Sequence, residues 1–64
     1  MIMAKANILV LDDDPIVRRA LTDLLTDEGY QVQTAADGAE GLEKARRQEF
    51  NLALVDGAFF SETG

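Results

Sequence analysis

A run of four apolar residues that leads directly into three aspartates and a proline constrains this chain more than any other feature. Residues 8–11 read Ile-Leu-Val-Leu and are followed by Asp12, Asp13, Asp14 and Pro15. A short apolar run of this kind is typical of a strand that is buried on both faces of a parallel sheet. Asp14 and Pro15 are a typical N-cap and first helical residue, so we expect a helix to begin there. Because ligands of open parallel sheets bind at the carboxyl ends of strands, Asp12 and Asp13 lie where a functional site is expected.

The remaining residues alternate between helical and strand patterns. The sequence predicts strands at about 7–12, 31–35 and 51–56, and helices at about 15–28 and 38–48. The first helix carries an apolar stripe, from which Arg18 and Arg19 point away, and it ends at Gly29 as its C′ residue. This stripe consists of Ile16, Val17, Ala20, Leu21, Leu24 and Leu25.

The second helix begins with the spacing of a capping box, in which Asp37 is the N-cap and Glu40 follows three residues later. Its apolar face is thin and consists of Ala39, Leu42 and Ala45. The strand before it, at 31–35, alternates apolar and polar residues, which indicates an edge strand with one wet face.

The order strand, helix, strand, helix, strand predicts an α/β fold built from two overlapping βαβ units. Right-handed crossovers favour a parallel three-stranded sheet of order 2-1-3, with one helix on each face. In this order the first and third strands are neighbours, and their carboxyl ends are followed by Asp12 and Asp13 and by Asp56. We therefore expect these three carboxylates to converge.

Composition excludes several classes of site and partner. The 64 residues allow one domain and include no cysteine and no histidine, which excludes disulfides, thiolate or imidazole metal ligands and the usual general base. Twelve acidic residues against six basic ones give a net charge of -6, the wrong sign for binding nucleic acid or an anionic membrane. No membrane span or leader pattern is present in the sequence, so a cytoplasmic location is expected.

Three converging carboxylates repel one another unless a cation lies among them or a pKa rises. Oxygen-only ligands suit Mg²⁺, and Mg²⁺ beside an aspartate suits phosphoryl transfer with the carboxylate as acceptor. The alternative is that Asp12 and Asp13 solvate a strand end while Asp56 caps a turn.

The segments ILVLDDDP, EGYQV, TAADGAEGLEKA and NLALVDGAFFSETG resemble the N-terminal half of the receiver domain of bacterial two-component response regulators, over about residues 7–64. The resemblance implies a doubly wound, flavodoxin-like fold and a signalling module rather than an enzyme. Asp12 and Asp13 then resemble the acids of a Mg²⁺ site, with Asp13 preferred for direct contact. Asp56 resembles the phosphoacceptor, Ala58 offers its backbone carbonyl to the metal, and a sensor histidine kinase is the expected partner.

The resemblance also implies that residues 1–64 are a receiver-like domain truncated after the third strand, without the family's hydroxyl and lysine residues, so that phosphoryl transfer is impaired. Gly57 and Phe60 depart from the aliphatic residue and the proline that are usual in the family. A third strand that is apolar on both faces at the rim of the sheet predicts self-association, as a homodimer or higher oligomer.

Three functions stay open at this point. The first is a phosphoacceptor module, and the second is a self-associating half-domain whose acidic site is inherited but inactive. The third is a phosphohydrolase with Asp56 as nucleophile, which is weakened because Ala58 stands where a second aspartate is expected.

Overall fold

The computed structural model describes residues 6–55 together with the strand pairing of residues 58–61. Its elements are β1 (Asn7–Leu11), α1 (Pro15–Asp27), β2 (Gln31–Ala35), α2 (Gly38–Arg47), β3 (Leu52–Val55) and β4 (Ala58–Ser61). The strands form one sheet in the order β2-β1-β3-β4. β1 is parallel to both β2 and β3, whereas β4 is antiparallel to β3. The predicted parallel sheet of order 2-1-3 is confirmed, and β2 lies at an edge as expected.

The fourth strand corrects one prediction. β3 is not the rim of the sheet, because β4 pairs with all of it, from Leu52 opposite Ser61 to Val55 opposite Ala58. Only Asp56 and Gly57 separate the two strands in sequence, and these two residues lie outside the described part of the structure. Asp-Gly between two apolar runs is a strong hairpin signal, which the expectation of an open edge does not take into account. The open β3 edge, on which the expected self-association depended, is therefore closed by the chain itself.

The two helices cover opposite faces of the sheet. Thr34 borders a groove beside α1. The next residue, Ala35, lies 3.7 Å from the point at which a Cβ on Gly41 of α2 would stand. Because successive strand residues point to opposite faces, α1 lies on the Thr34 face and α2 on the Ala35 face. The prediction of one helix on each face is confirmed.

The core of the described structure lies along β1. Ile8, Leu9 and Val10 keep only 2%, 6% and 0% of their accessible surface. Both faces of β1 are buried because the strand has a neighbour on each side and a helix on each face. Burying one aliphatic side chain of this size contributes about 1.5–3 kcal/mol, so β1 dominates the apolar stabilisation of a small domain.

α1 begins and ends at the residues that the sequence indicates. Asp14 caps its N-terminus, where Oδ1 accepts a hydrogen bond from the amide of Ile16 at 2.9 Å. At the other end Gly29 has a φ of 99°, in the left-handed region that favours glycine. The Gly29 amide donates to Thr26 O at 3.0 Å, and the next amide donates to Leu25 O at 3.1 Å. Together these two bonds form a Schellman motif.

The apolar stripe of α1 is buried only in part. Leu21 and Leu25 are half-buried, whereas Ile16, Val17 and Leu24 expose 77%, 37% and 59% of their surface. The stripe is therefore wider than the surface that the sheet offers to the helix.

The predicted apolar face of α2 does not face the sheet. Ala39, Leu42 and Ala45 are exposed, and the buried residue of the helix is Gly41. A Cβ at Gly41 would stand 2.6 Å from Cδ1 of Leu11. The missing side chain is what allows α2 to approach β1 so closely.

The capping box closes the start of α2. Asp37 Oδ1 accepts from the amide of Glu40 at 2.8 Å, and Glu40 Oε1 accepts from the amide of Ala36 at 2.9 Å. Lys44 lies 3.4 Å from Glu40 Oε2 and also donates to the backbone oxygen of Thr34. The bond from Ala36 and then the bond from Lys44 lower the pKa of Glu40 below its ordinary value of 4.5.

Candidate functional site

Asp12 is buried at the carboxyl end of β1, where it exposes 8% of its surface. Its amide donates to Ala35 O at 3.1 Å, which keeps the turn after β1 joined to β2. Its Oδ1 accepts from the amide of Asp14 at 2.9 Å. Its backbone oxygen accepts from Nη1 of Arg18 at 2.7 Å. Asp12 is thus fixed both through its backbone and through one carboxylate oxygen.

Asp13 differs from Asp12 because it is exposed. Within residues 6–55, no hydrogen bond or ion pair engages its carboxylate. An ionised carboxylate offers acceptor oxygens only. Of the two neighbouring acids, Asp13 is therefore the more available to a cation, because one oxygen of the Asp12 carboxylate already accepts from the amide of Asp14.

Asp56, the third predicted acid, lies outside the described residues, so its position relative to Asp13 stays a prediction. The strand that leads into it is described, and Val55 is the register partner of Leu11. β1 and β3 therefore end level with each other, and each is followed in sequence by an aspartate. Ala58, the predicted carbonyl ligand, is the first residue of β4 and the register partner of Val55.

No group of three or more acidic, histidine or cysteine side chains comes together among the described residues. The predicted metal cluster needs Asp56 as its third member, so this result does not test it. The two acids that are described provide oxygen ligands only, and oxygen is the donor type that Mg²⁺ takes from proteins. The donor chemistry at the end of β1 therefore fits Mg²⁺.

Comparison with known proteins identifies the fold at this point. A family model for the response regulator receiver domain matches residues 8–64. The chain belongs to the response regulator receiver domain family. The match runs through the acidic end of β1, both helices and the β3–β4 region.

Individual relatives of this receiver domain are of several kinds. The transcriptional regulatory protein GlrR of Escherichia coli K12 is 45% identical over 51 residues, which cover 80% of this chain and 12% of GlrR. The sensor histidine kinase RcsC of the same organism is 45% identical over 49 residues, which cover 77% of this chain and 5% of RcsC. The crystallised chemotaxis protein CheY4 of Vibrio cholerae superposes with a TM-score of 0.71 at 42% identity, covering 78% of this chain and 40% of CheY4. The similarity shows the family and the fold of this chain. Because the chain spans only a minor part of each relative, the similarity does not show the activity of the whole proteins.

Arg18 is the residue of this region whose position the sequence did not predict. The helical pattern places it away from the apolar stripe, yet its guanidinium turns back to the backbone of Asp12. It also borders a shallow groove of about 300 Å³. The other residues that line this groove are Pro15, Arg19, Thr22 and Thr34. Sequence spacing could have predicted this contact. Arg18 stands one helical turn after Asp14, and a long side chain at that position can reach back over the residues that connect β1 to α1.

In the part of this receiver domain that the structure describes, neither helix has the length and apolar character that crossing a membrane requires.

Proposed function

We propose that this receiver domain accepts a phosphoryl group on Asp56, with Mg²⁺ held by Asp12, Asp13, Asp56 and the backbone carbonyl of Ala58. The donor is a phosphohistidine of a sensor histidine kinase. Family membership supports a role as a signalling module in a two-component system, rather than as an enzyme with a substrate of its own.

One observation carries this proposal: β1 and β3 are adjacent, parallel and level at their carboxyl ends. The register pairs Leu11 with Val55, and the residue after each of them is an aspartate. The carboxyl ends of neighbouring parallel strands are where ligands bind in open α/β sheets. Asp13, which is exposed beside a buried Asp12, supplies the free carboxylate that a cation at this edge requires.

The reaction is a transfer between two nucleophiles. A carboxylate oxygen of Asp56 forms a bond to phosphorus while the bond from phosphorus to the imidazole nitrogen breaks, and the electron pair of that bond stays on the nitrogen. Phosphoryl transfer needs positioning and charge neutralisation more than covalent help from the protein. Mg²⁺ held by the residues named above would supply that neutralisation. Besides its proposed place in the metal site, Asp12 holds the turn after β1 in place through its bonds to Ala35 and Asp14.

A sensor histidine kinase is the partner that best fits this chemistry. One relative is itself named a sensor histidine kinase and contains a region that is similar to this chain. Another is named a transcriptional regulatory protein. Both names fit a domain that receives a phosphoryl group.

The test uses a small phosphoryl donor in place of the kinase. The chain is incubated with acetyl phosphate and Mg²⁺, and its intact mass is measured. We expect an adduct of one phosphoryl group, about 80 Da, in the wild type and none in Asp56→Asn. Asp27→Asn, at the exposed end of α1, is the matched control and should carry the adduct.

Two results would contradict this proposal. One is an adduct that persists in Asp56→Asn, which would place the modification elsewhere. The other is a folded wild-type chain that gains no mass at millimolar Mg²⁺ and excess donor. Titration with Mg²⁺ separates the metal from the transfer, because Asp13→Asn should weaken Mg²⁺ binding while Asp27→Asn should leave it unchanged.

The self-associating alternative has less support. Pairing of two copies through β3 requires β4 to leave that edge, and β4 pairs with β3 along its whole length. We therefore infer that a homodimer does not form through the third strand. Sedimentation of the chain at micromolar concentration tests this inference. A dimer that dissociates on substitutions at the β3 edge alone would contradict it. A dimer that dissociates when β4 is deleted would not.

A further inference from the structure

We propose that Arg18 is a positioning residue that locks the turn from Asp12 to Asp14 and thereby sets where the carboxylate of Asp13 is presented. The inference rests on the proposed function only in taking Asp13 as a Mg²⁺ ligand. The lock itself is a property of the described residues and can be measured without metal.

Arg18 is attached to the residues on both sides of Asp13. Its Nη1 donates to the backbone oxygen of Asp12 at 2.7 Å. Its own amide donates to the backbone oxygen of Asp14 at 3.0 Å. The side chain and the main chain of one residue therefore fix the distance between α1 and each end of a three-residue turn.

The two ends of the turn are also tied to the rest of the fold. The amide of Asp12 donates to Ala35 O, and the carboxylate of Asp12 accepts from the amide of Asp14. Asp13 stands between these fixed neighbours and is exposed, and no other bond within the described residues holds its carboxylate. The backbone that Arg18 helps to hold therefore sets the point from which the Asp13 side chain projects, and with it the range of positions open to its carboxylate.

Arg18 is suited to this task in a way that its neighbour is not. Arg18 is half-buried, its backbone oxygen accepts from the Thr22 hydroxyl at 2.7 Å, and no carboxylate of the described residues forms an ion pair with it. Arg19, by contrast, has a side chain that is 84% exposed and lies 3.7 Å from Asp23. Exposed pairs of this kind contribute little, so Arg19 offers a matched control of the same residue type one position away.

The experiment compares Arg18→Met with Arg19→Met, using the full chain. The first readout is amide hydrogen exchange by NMR without metal. We expect the Asp14 amide to exchange at least about tenfold faster in Arg18→Met than in wild type, which corresponds to the loss of one charge-assisted hydrogen bond. The exchange rate of the Val10 amide in the same variant should change much less. In Arg19→Met, the exchange rates of all amides should change much less. Acceleration of Asp14 and Val10 by the same factor would overturn the proposal, because it would show a general loss of stability.

The second readout is the affinity for Mg²⁺ by calorimetry. Removing a positive charge near a cation site raises the affinity for the cation by Coulomb's law, whereas losing the support of a ligand typically lowers it about 10–100-fold. We expect Arg18→Met to bind Mg²⁺ about tenfold more weakly than wild type, and Arg19→Met to bind it within twofold of wild type. Tighter or unchanged binding by Arg18→Met would overturn the proposal.

A third variant and the wild type itself distinguish failure of the Arg18 lock from failure of a variant to fold and from failure of the proposed metal site. Arg18→Lys keeps the charge but is one atom shorter, so it should lie between wild type and Arg18→Met in both readouts, and it replaces Arg18→Met if that variant does not fold. If the wild type binds no Mg²⁺, the proposed metal site fails, and the exchange of the Asp14 amide alone then supports or overturns the lock.

Discussion

Valine at position 41 is expected to destabilise this domain because α2 lies directly on β1 at that point. A Cβ at Gly41 would stand 2.6 Å from Leu11 Cδ1, 3.6 Å from Leu11 Cγ and 3.7 Å from Ala35 Cβ. Non-bonded carbons pack best at about 3.5–4.0 Å, so Leu11 Cδ1 has to retreat by roughly 1 Å before any further atom is added. The two methyl groups of valine add volume at a point where Leu11 and Ala35 already lie within 3.7 Å of the Cβ.

The expected cost follows from two opposing effects. Overpacking of this kind costs about 1–3 kcal/mol, and replacing glycine in a helix by valine returns only a few tenths of a kcal/mol. The net loss for Gly41→Val is about 2 kcal/mol. A domain of this length has a free energy of unfolding of roughly 3–10 kcal/mol, so the variant should still fold but at a visibly lower urea midpoint.

Gly38→Val is the matched control, because it places the same residue in the same helix. Apart from its chain neighbours and the backbone of its own helix, no heavy atom of the described residues lies within 4 Å of a Cβ at Gly38, so we expect a change within about 0.5 kcal/mol. Urea unfolding followed by circular dichroism measures both variants, and equal m-values in all proteins would show that only stability has changed.

A double-mutant cycle with Leu11→Ala identifies the cause. If Leu11 is the residue that valine displaces, Gly41→Val should cost less than about 0.5 kcal/mol in the Leu11→Ala background. An equal cost in both backgrounds, or equal midpoints for Gly41→Val and Gly38→Val, would refute the reasoning from this contact.

Three further predictions concern the core and the start of α2. Val10→Ala should lower the free energy of unfolding by about 2 kcal/mol. Val17→Ala, at a position that is 37% exposed, should lower it by less than half as much. Similar losses in the two variants would contradict the burial of β1. Asp37→Ala should cost about 1 kcal/mol through loss of the N-cap bond, which thermal or urea unfolding measures. The folded-state pKa of Glu40 is lowered, so its contribution is present above the unfolded value and is lost as pH falls through the folded pKa. In Glu40→Gln the fall in stability below pH 4.5 should be shallower than in wild type, and parallel curves would contradict this assignment.

The sequence predicted the features whose local pattern, such as an apolar run or a capping residue, agrees with the burial and the bonds that these residues have in the fold. β1 is an apolar run that becomes buried on both faces, and Asp14 and Gly29 each make the cap that their position in the chain indicates. The strand order 2-1-3 followed from the handedness of crossovers, which depends on chain chirality more than on particular side chains.

The features that the sequence did not predict depend on contacts between distant elements. Gly41 is an ordinary helical glycine in sequence, and it marks a close approach of α2 to β1 only because Leu11 lies beneath it. Asp56 and Gly57 are a hairpin signal between β3 and β4, but the predicted three-stranded order 2-1-3 leaves the third strand at the rim of the sheet.

The acidic site shows the same limit. The strand and helix patterns do not distinguish Asp12 from Asp13, and only the family resemblance favours Asp13 for direct contact with the metal. In the structure Asp12 is buried and bonded while Asp13 is exposed. Which acid is free follows from the path of the turn, whose backbone is bonded to Arg18 and Ala35. Pattern alone identifies the pair but not the division of tasks within it.

The central place of β1 also limits how this chain can vary. Ile8 and Val10 face one helical layer while Leu9 and Leu11 face the other, and both neighbouring strands are in register with them. A single inserted or deleted residue here would exchange the two layers at once and move the acids off the end of the strand. Repacking of nearby side chains can accommodate another aliphatic residue in β1, but it cannot compensate for a change in the length of the strand. We therefore expect insertions and deletions to be tolerated in the loops between elements and not in β1.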